Sequence, residues 1–168
     1  NGAKYLSYLL TPATVCLAIP LYQQMELLKK NMLAVILGIL SGVLASLCST
    51  LIFAFLFGMT HKEYVTMLPK SITTAMAVSE ELGGIVTITI ATIILTGIIG
   101  NIIAETVCRI FKIEEPIAKG VAIGSASHAI GTVKAMEMGE IEGAMSSLAI
   151  AVAGLITVVG ASFFAQFL

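Results

Sequence analysis

The chain has 168 residues, 58% of them apolar and only 11% charged, with a formal net charge of −1 and a mean hydropathy of +1.02. Soluble domains carry about 25% charged residues, so composition excludes an ordinary water-soluble fold and points to a membrane protein. The near-zero charge, with no basic stripe, excludes a nucleic-acid-binding surface.

Four uncharged stretches occur in order, at 5–22, 32–57, 82–104 and 143–168. About 20 apolar residues cross the hydrocarbon core, so the last three are long enough to span and the first just reaches that length. Thr11-Pro12 sits in the middle of the first stretch, and a kink or break is expected around Leu10 to Ala13 because proline removes a backbone donor. The second stretch carries Gly38 and Gly42 at small-xxx-small spacing, which reads as a helix-packing face. Cys16, Cys48 and Cys108 lie far apart without metal-ligand spacing and read as buried thiols. The first residue is Asn and no signal peptide is visible, so the start reads as an internal position of a longer chain.

Two polar cassettes interrupt this apolar sequence. The first is Pro69-Lys70-Ser71-Ile72-Thr73-Thr74, followed by a break at Gly83-Gly84. The second is Gly124-Ser125-Ala126-Ser127-His128-Ala129-Ile130-Gly131-Thr132, followed by Glu137, Glu140, Glu142 and Gly143. Hydroxyls, an ammonium and an imidazole are costly at membrane depth unless they find partners, line a wet cavity or meet a ligand. Lys70 reads either as the cation for a substrate carboxylate or as an interfacial lysine that snorkels, with Ser71 capping a helix that begins after Pro69. His128 reads either as a proton-coupling or carboxylate-contacting group or as a neutral imidazole bonded to a nearby carbonyl. Gly124 and Gly131 are expected to permit a broken backbone or close packing there. No phosphate loop, metal-ligand set or nucleophile with base and orienter is apparent, so no enzyme activity and no cofactor are expected.

Charge sets the topology. If each cassette dips in and returns on one side, Lys29, Lys30, Arg109, Lys112 and Lys119 share one face while Lys62 and Lys70 share the other. The positive-inside rule favours this re-entrant arrangement, with the Lys29-Lys30 loop cytoplasmic. The two cassette-plus-helix units then enter from opposite sides. The expected fold is all-α: a polytopic transmembrane helical protein, one domain over 1–168, with broken or re-entrant helices and inverted repeats meeting near the midplane.

Four stretches together resemble the LrgB/CidB family of membrane proteins. These are Leu9-Leu10-Thr11-Pro12-Ala13-Thr14-Val15 leading to Ile19-Pro20-Leu21-Tyr22; Leu68 through Thr74; Gly124 through Thr132; and Glu142-Gly143-Ala144-Met145-Ser146-Ser147-Leu148-Ala149. Ala75 stands where the family usually has Pro, and about two further N-terminal hydrophobic segments are usual in the family. The resemblance implies either a carrier of small carboxylates of the pyruvate, glycolate or glycerate type or, as the alternative, an antiholin-like regulator of murein hydrolase activity and lysis that works with an LrgA/CidA-type membrane partner. The cassettes fit the carrier better. The expected substrate-binding set is Thr11, Thr14, Lys70, Ser71, Thr73, Thr74, Ser125, Ser127, His128, Gly131 and Thr132. A homo-oligomer in a bacterial cytoplasmic membrane is expected, with the lipid bilayer and a small carboxylate as partners.

Overall fold

The computed structural model describes residues 19, 22–72 and 74–168, and among these the chain forms six α-helices and a closing 3-10 turn, with no strand. The kink expected around Leu10 to Ala13 lies outside the described residues.

Helix α1, Met25–Phe57, is a spanning helix whose buried side chains Leu28, Val35, Ile39, Val43, Leu47, Thr50 and Ala54 form one stripe, in steps of three, four and, at its start, seven residues. Its other faces carry exposed Leu33, Leu37, Phe53 and Leu56, as lipid contact requires. Gly58 ends it in the left-handed region at φ 62, where its N–H reaches back to the Ala54 and Phe55 carbonyls. Gly38 and Gly42 do form a packing face: a Cβ on Gly42 would lie 2.8 Å from the Ser125 hydroxyl, and one on Gly38 3.2 Å from Val121.

The first cassette is a short helical hairpin. Helix α2, His61–Met67, opens with a capping box in which Thr60 and Glu63 satisfy each other's backbone donors. Those bonds hold the exposed Glu63 carboxyl below its ordinary pKa. Turns through 68–74 lead to α3, Ala75–Glu81, and Gly83 at φ 77 breaks the chain before α4, Val86–Ile110. Thr89 Oγ1 donates to the Thr66 carbonyl at 2.9 Å and meets Ser79 Oγ at 2.7 Å, which ties both arms to the start of α4. Helix α4 runs on past the 82–104 apolar stretch to Ile110, and Asn101 donates to the Ile130 carbonyl at 3.0 Å.

The second cassette is a reversal inside α5, Pro116–Met138, followed after Gly139 by α6, Glu140–Phe164, and the 3-10 turn Ala165–Phe167. Regular geometry fails at Ser127 and at His128, the latter at φ 42, ψ −147. Contacts on either side of the break identify the reversal. Gly120 packs on Glu142 and Met145, and Gly124 on Ser146 and Ala149, so the first arm runs with α6. Thr132 meets Ser146, and Met136 meets Gly143, so the second arm runs against it. Both arms therefore leave and return at the same end. The break lies between Gly124 and Gly131, where it was expected, on Ser127 and His128; the glycines themselves provide the close packing that was the other expectation, Gly124 on Ser146 and Gly131 on Ser127 and Ile123.

At about 1.5 Å of rise per residue, Gly42 lies near the midpoint of α1, and Ile93, beside His128, lies a little before the midpoint of α4. The first hairpin reaches the same level of α1 from the other end, where Ser71 meets Ser46. Two re-entrant tips thus converge on the middle of one spanning helix.

Candidate functional site

Proline 69 is buried, and turns closed by Lys70 N–H to the Met67 carbonyl and Ile72 N–H to the Pro69 carbonyl aim Lys70 and Ser71 at α1. Lys70 Nζ donates to Thr50 Oγ1 and, at 3.4 Å, to Ser46 Oγ, while Ser46 Oγ and Ser71 Oγ share a proton at 2.8 Å. Ser71 therefore bonds across to α1 and does not cap a helix, and α3 begins only at Ala75. Thr74, just before α3, is exposed and makes no capping bond. Thr11, Thr14 and Thr73 lie outside the described residues.

In the second hairpin, Ser125 Oγ donates to the Val121 carbonyl at 2.7 Å and faces Gly42 of α1. Ser127 is buried beside Gly100 of α4. His128 turns away from α1: its Nε2 lies 2.9 Å from the Ile93 carbonyl, and its ring packs against Gly97. Thr132 Oγ1 donates to the His128 carbonyl at 3.0 Å and lies 2.7 Å from Ser146 Oγ. His128, Gly131 and Thr132 thus stand among the contacts that hold the reversal. Lys70, Ser71 and Ser125 face the gap between the tips.

That gap is an open cavity of about 1140 Å³ between α1 and α4, backed by the first arm of α5. Lys70, Ser71, Ser46, Thr96 and Ser125 line its inner part, and Asn31 and Glu115 stand towards the α1 start and the α5 start. The lining runs along α1 from Ser49 to Asn31, towards the end that carries Lys29, Lys30, Arg109, Lys112 and Lys119. Among the described residues the ion pairs are Arg109–Glu105 at 3.4 Å, Lys134–Glu105 at 3.5 Å and Lys134–Glu137 at 3.3 Å, between the end of α4 and the second arm of α5. Lys70 takes part in none of them. At half-depth the cavity has a cation, several hydroxyls and no carboxylate beside them.

Sequence reasoning missed Ser46, Thr50 and Thr96, because α1 and α4 read as plain spans. The signal was present in the run Ser46, Ser49, Thr50, three hydroxyls within two turns in the middle of a mostly apolar helix. The buried-thiol reading holds for Cys108 and fails for Cys48, which is exposed on the outer side of α1; Cys16 lies outside the described residues.

Residues 1–167 match the LrgB-like family. A protein of Bacillus cereus (strain B4264) named antiholin-like protein LrgB is 39% identical over 170 residues, covering 100% of this chain and 74% of that relative. Proteins of the same name from Bacillus cereus (strain AH187) and Bacillus anthracis (strain CDC 684 / NRRL 3495) give the same identity and coverage. No solved structure matches the chain.

Proposed function

The chain belongs to the LrgB-like family, and from that premise we propose that it is an integral membrane carrier of small carboxylates, of the pyruvate, glycolate or glycerate type. The observation that carries this reading is the Lys70 ammonium, at half-depth, lining a cavity between two re-entrant tips and paired with no carboxylate among the described residues. A partly buried charge without a counter-charge carries a desolvation cost, and a substrate anion would supply the missing partner. Broken helices that meet at the midplane are where secondary carriers hold their substrates. With the positive-inside bias, the cavity opens to the cytoplasm of a bacterial inner membrane.

The second reading rests on the name of the relatives and is better backed by the comparisons than the first. It makes the chain an antiholin-like regulator of murein hydrolase activity and lysis, acting with an LrgA-type membrane partner or as a homo-oligomer. The two readings separate in proteoliposomes. Saturable uptake of labelled pyruvate, glycolate or lactate, by the protein alone or with the partner, supports the carrier; leakage of a trapped dye that ignores substrate supports the lysis role. Within the carrier reading, Lys70→Ala should cost about 2 kcal/mol or more of binding, roughly thirtyfold in affinity, while the protein still inserts and purifies. Unchanged uptake kinetics would return Lys70 to a snorkelling role.

A further inference from the structure

The hydroxyls of α1 fix how many hydrogen-bond donors remain at the tip of the first hairpin. Thr50 has one proton, and it goes to the Ser46 carbonyl at 2.8 Å. Its lone pairs are then left to accept from Lys70, which they do. An ammonium has three donors and no acceptor, and the described residues take two of them, at Thr50 and Ser46. Ser46 Oγ, already accepting from Lys70, is best satisfied by donating its own proton to Ser71 Oγ at 2.8 Å. That leaves the Ser71 proton free. One N–H of Lys70 and one O–H of Ser71 are therefore unspent, on adjacent residues, and both residues line the cavity.

We propose that Ser46 and Thr50 of α1 are positioning residues that hold Lys70 and Ser71 as a paired donor site for a single carboxylate, one oxygen accepting from Nζ and the other from the Ser71 hydroxyl. This deepens the carrier reading, on which it rests for the identity of the anion, and assigns a role to a helix outside both hairpins. A charge-assisted pair of donors binds a planar carboxylate in one orientation, with the rest of the molecule directed along the cavity.

Equilibrium binding of labelled acetate and pyruvate to the purified whole protein tests this separately from transport. Thr50→Val removes the acceptor at nearly constant volume, and Thr50→Ser restores it. The expected result is about tenfold weaker binding for Thr50→Val, near wild-type binding for Thr50→Ser, and a similar loss for Ser46→Ala, with all three eluting as wild type on size exclusion. In uptake, Thr50→Val should raise KM and leave the maximal rate within about twofold, a split that a merely structural role would not give. Wild-type affinity in Thr50→Val, or no rescue by Thr50→Ser, overturns the proposal. So does an absence of saturable binding of either probe to the wild type. Binding with the expected variant pattern but no uptake leaves the donor site standing and removes the carrier reading.

Discussion

His128 sits in a region of backbone space, φ 42 and ψ −147, that side-chain-bearing residues adopt at a cost of about 1–3 kcal/mol. Its imidazole bond to the Ile93 carbonyl and the closeness of the ring to Gly97 offset that cost by tying the reversal to α4. A ring committed to a main-chain carbonyl on the far side of the tip from α1 is badly placed to carry a proton through the cavity. His128→Gln keeps a donor of similar reach. It should leave the pH profile of uptake superimposable on the wild type while lowering stability by about 1 kcal/mol, or ~2–4 °C in a thermal melt. Loss of accumulation driven by a pH gradient, with counterflow exchange intact, would instead make His128 the coupling group. Lys70 presents the opposite case, a charged residue whose bonds to Ser46 and Thr50 hold it against the cavity wall.

The elements that matter are the two hairpins, and each reverses for a different local reason. In the first, α2 and α3 are short, and Pro69 and the turns after it end one arm before the other begins. In the second, a helix of 23 residues bends back on itself within two residues. Because of that reversal, single cysteines at Lys30, Lys112 and Glu140 in a cysteine-free background should react with an impermeant thiol reagent from one side of the membrane, and one at Lys62 only from the other. Labelling of positions 112 and 140 from opposite sides would make α5 a crossing helix. The hairpins were legible beforehand because polar cassettes between apolar spans, read with the lysine bias, permit few other arrangements. The second break was legible too, at His128 between two glycines, but the roles of the residues around it were not. Gly124 and Gly131 attract attention as flexible residues, but their missing side chains let Ser146 and Ser127 approach, and the strained backbone is that of His128 between them. Nor could the roles of Ser46 and Thr50 be read from α1, since a hydroxyl in a spanning helix can bond its own preceding carbonyl, as Ser49 does.

At the scale of the molecule, residues 61–110 and 116–164 repeat one plan, a hairpin followed by a spanning helix, entered from opposite faces. Direction follows from contacts: α4 runs with the second arm of α5, as Ile93 to His128 and Glu105 to Lys134 require, whereas α6 runs against that arm. The spanning helices of the two units are therefore antiparallel, and α1 stands outside the repeat as the surface both tips touch. On the carrier reading, such symmetry would give a cavity two equivalent ways to open, one past each hairpin. The first hairpin, with Lys70, Ser71, Ser46 and Thr50 bonded together, separates the cavity from the opposite face. Cysteines at Ala34, Ala45 and Ala118, which line the cavity without taking part in those bonds, read out which side is open. Without substrate, all three should react with an impermeant reagent added on the Lys30 side and resist it on the Lys62 side. Ala45, next to Ser46, should be shielded by pyruvate, whereas Ala34, three turns nearer the mouth, should stay reactive. Free reaction of Ala45→Cys from the Lys62 side in the absence of substrate would mean that the first hairpin does not seal that face, and that the two tips enclose a pore instead of an alternating site.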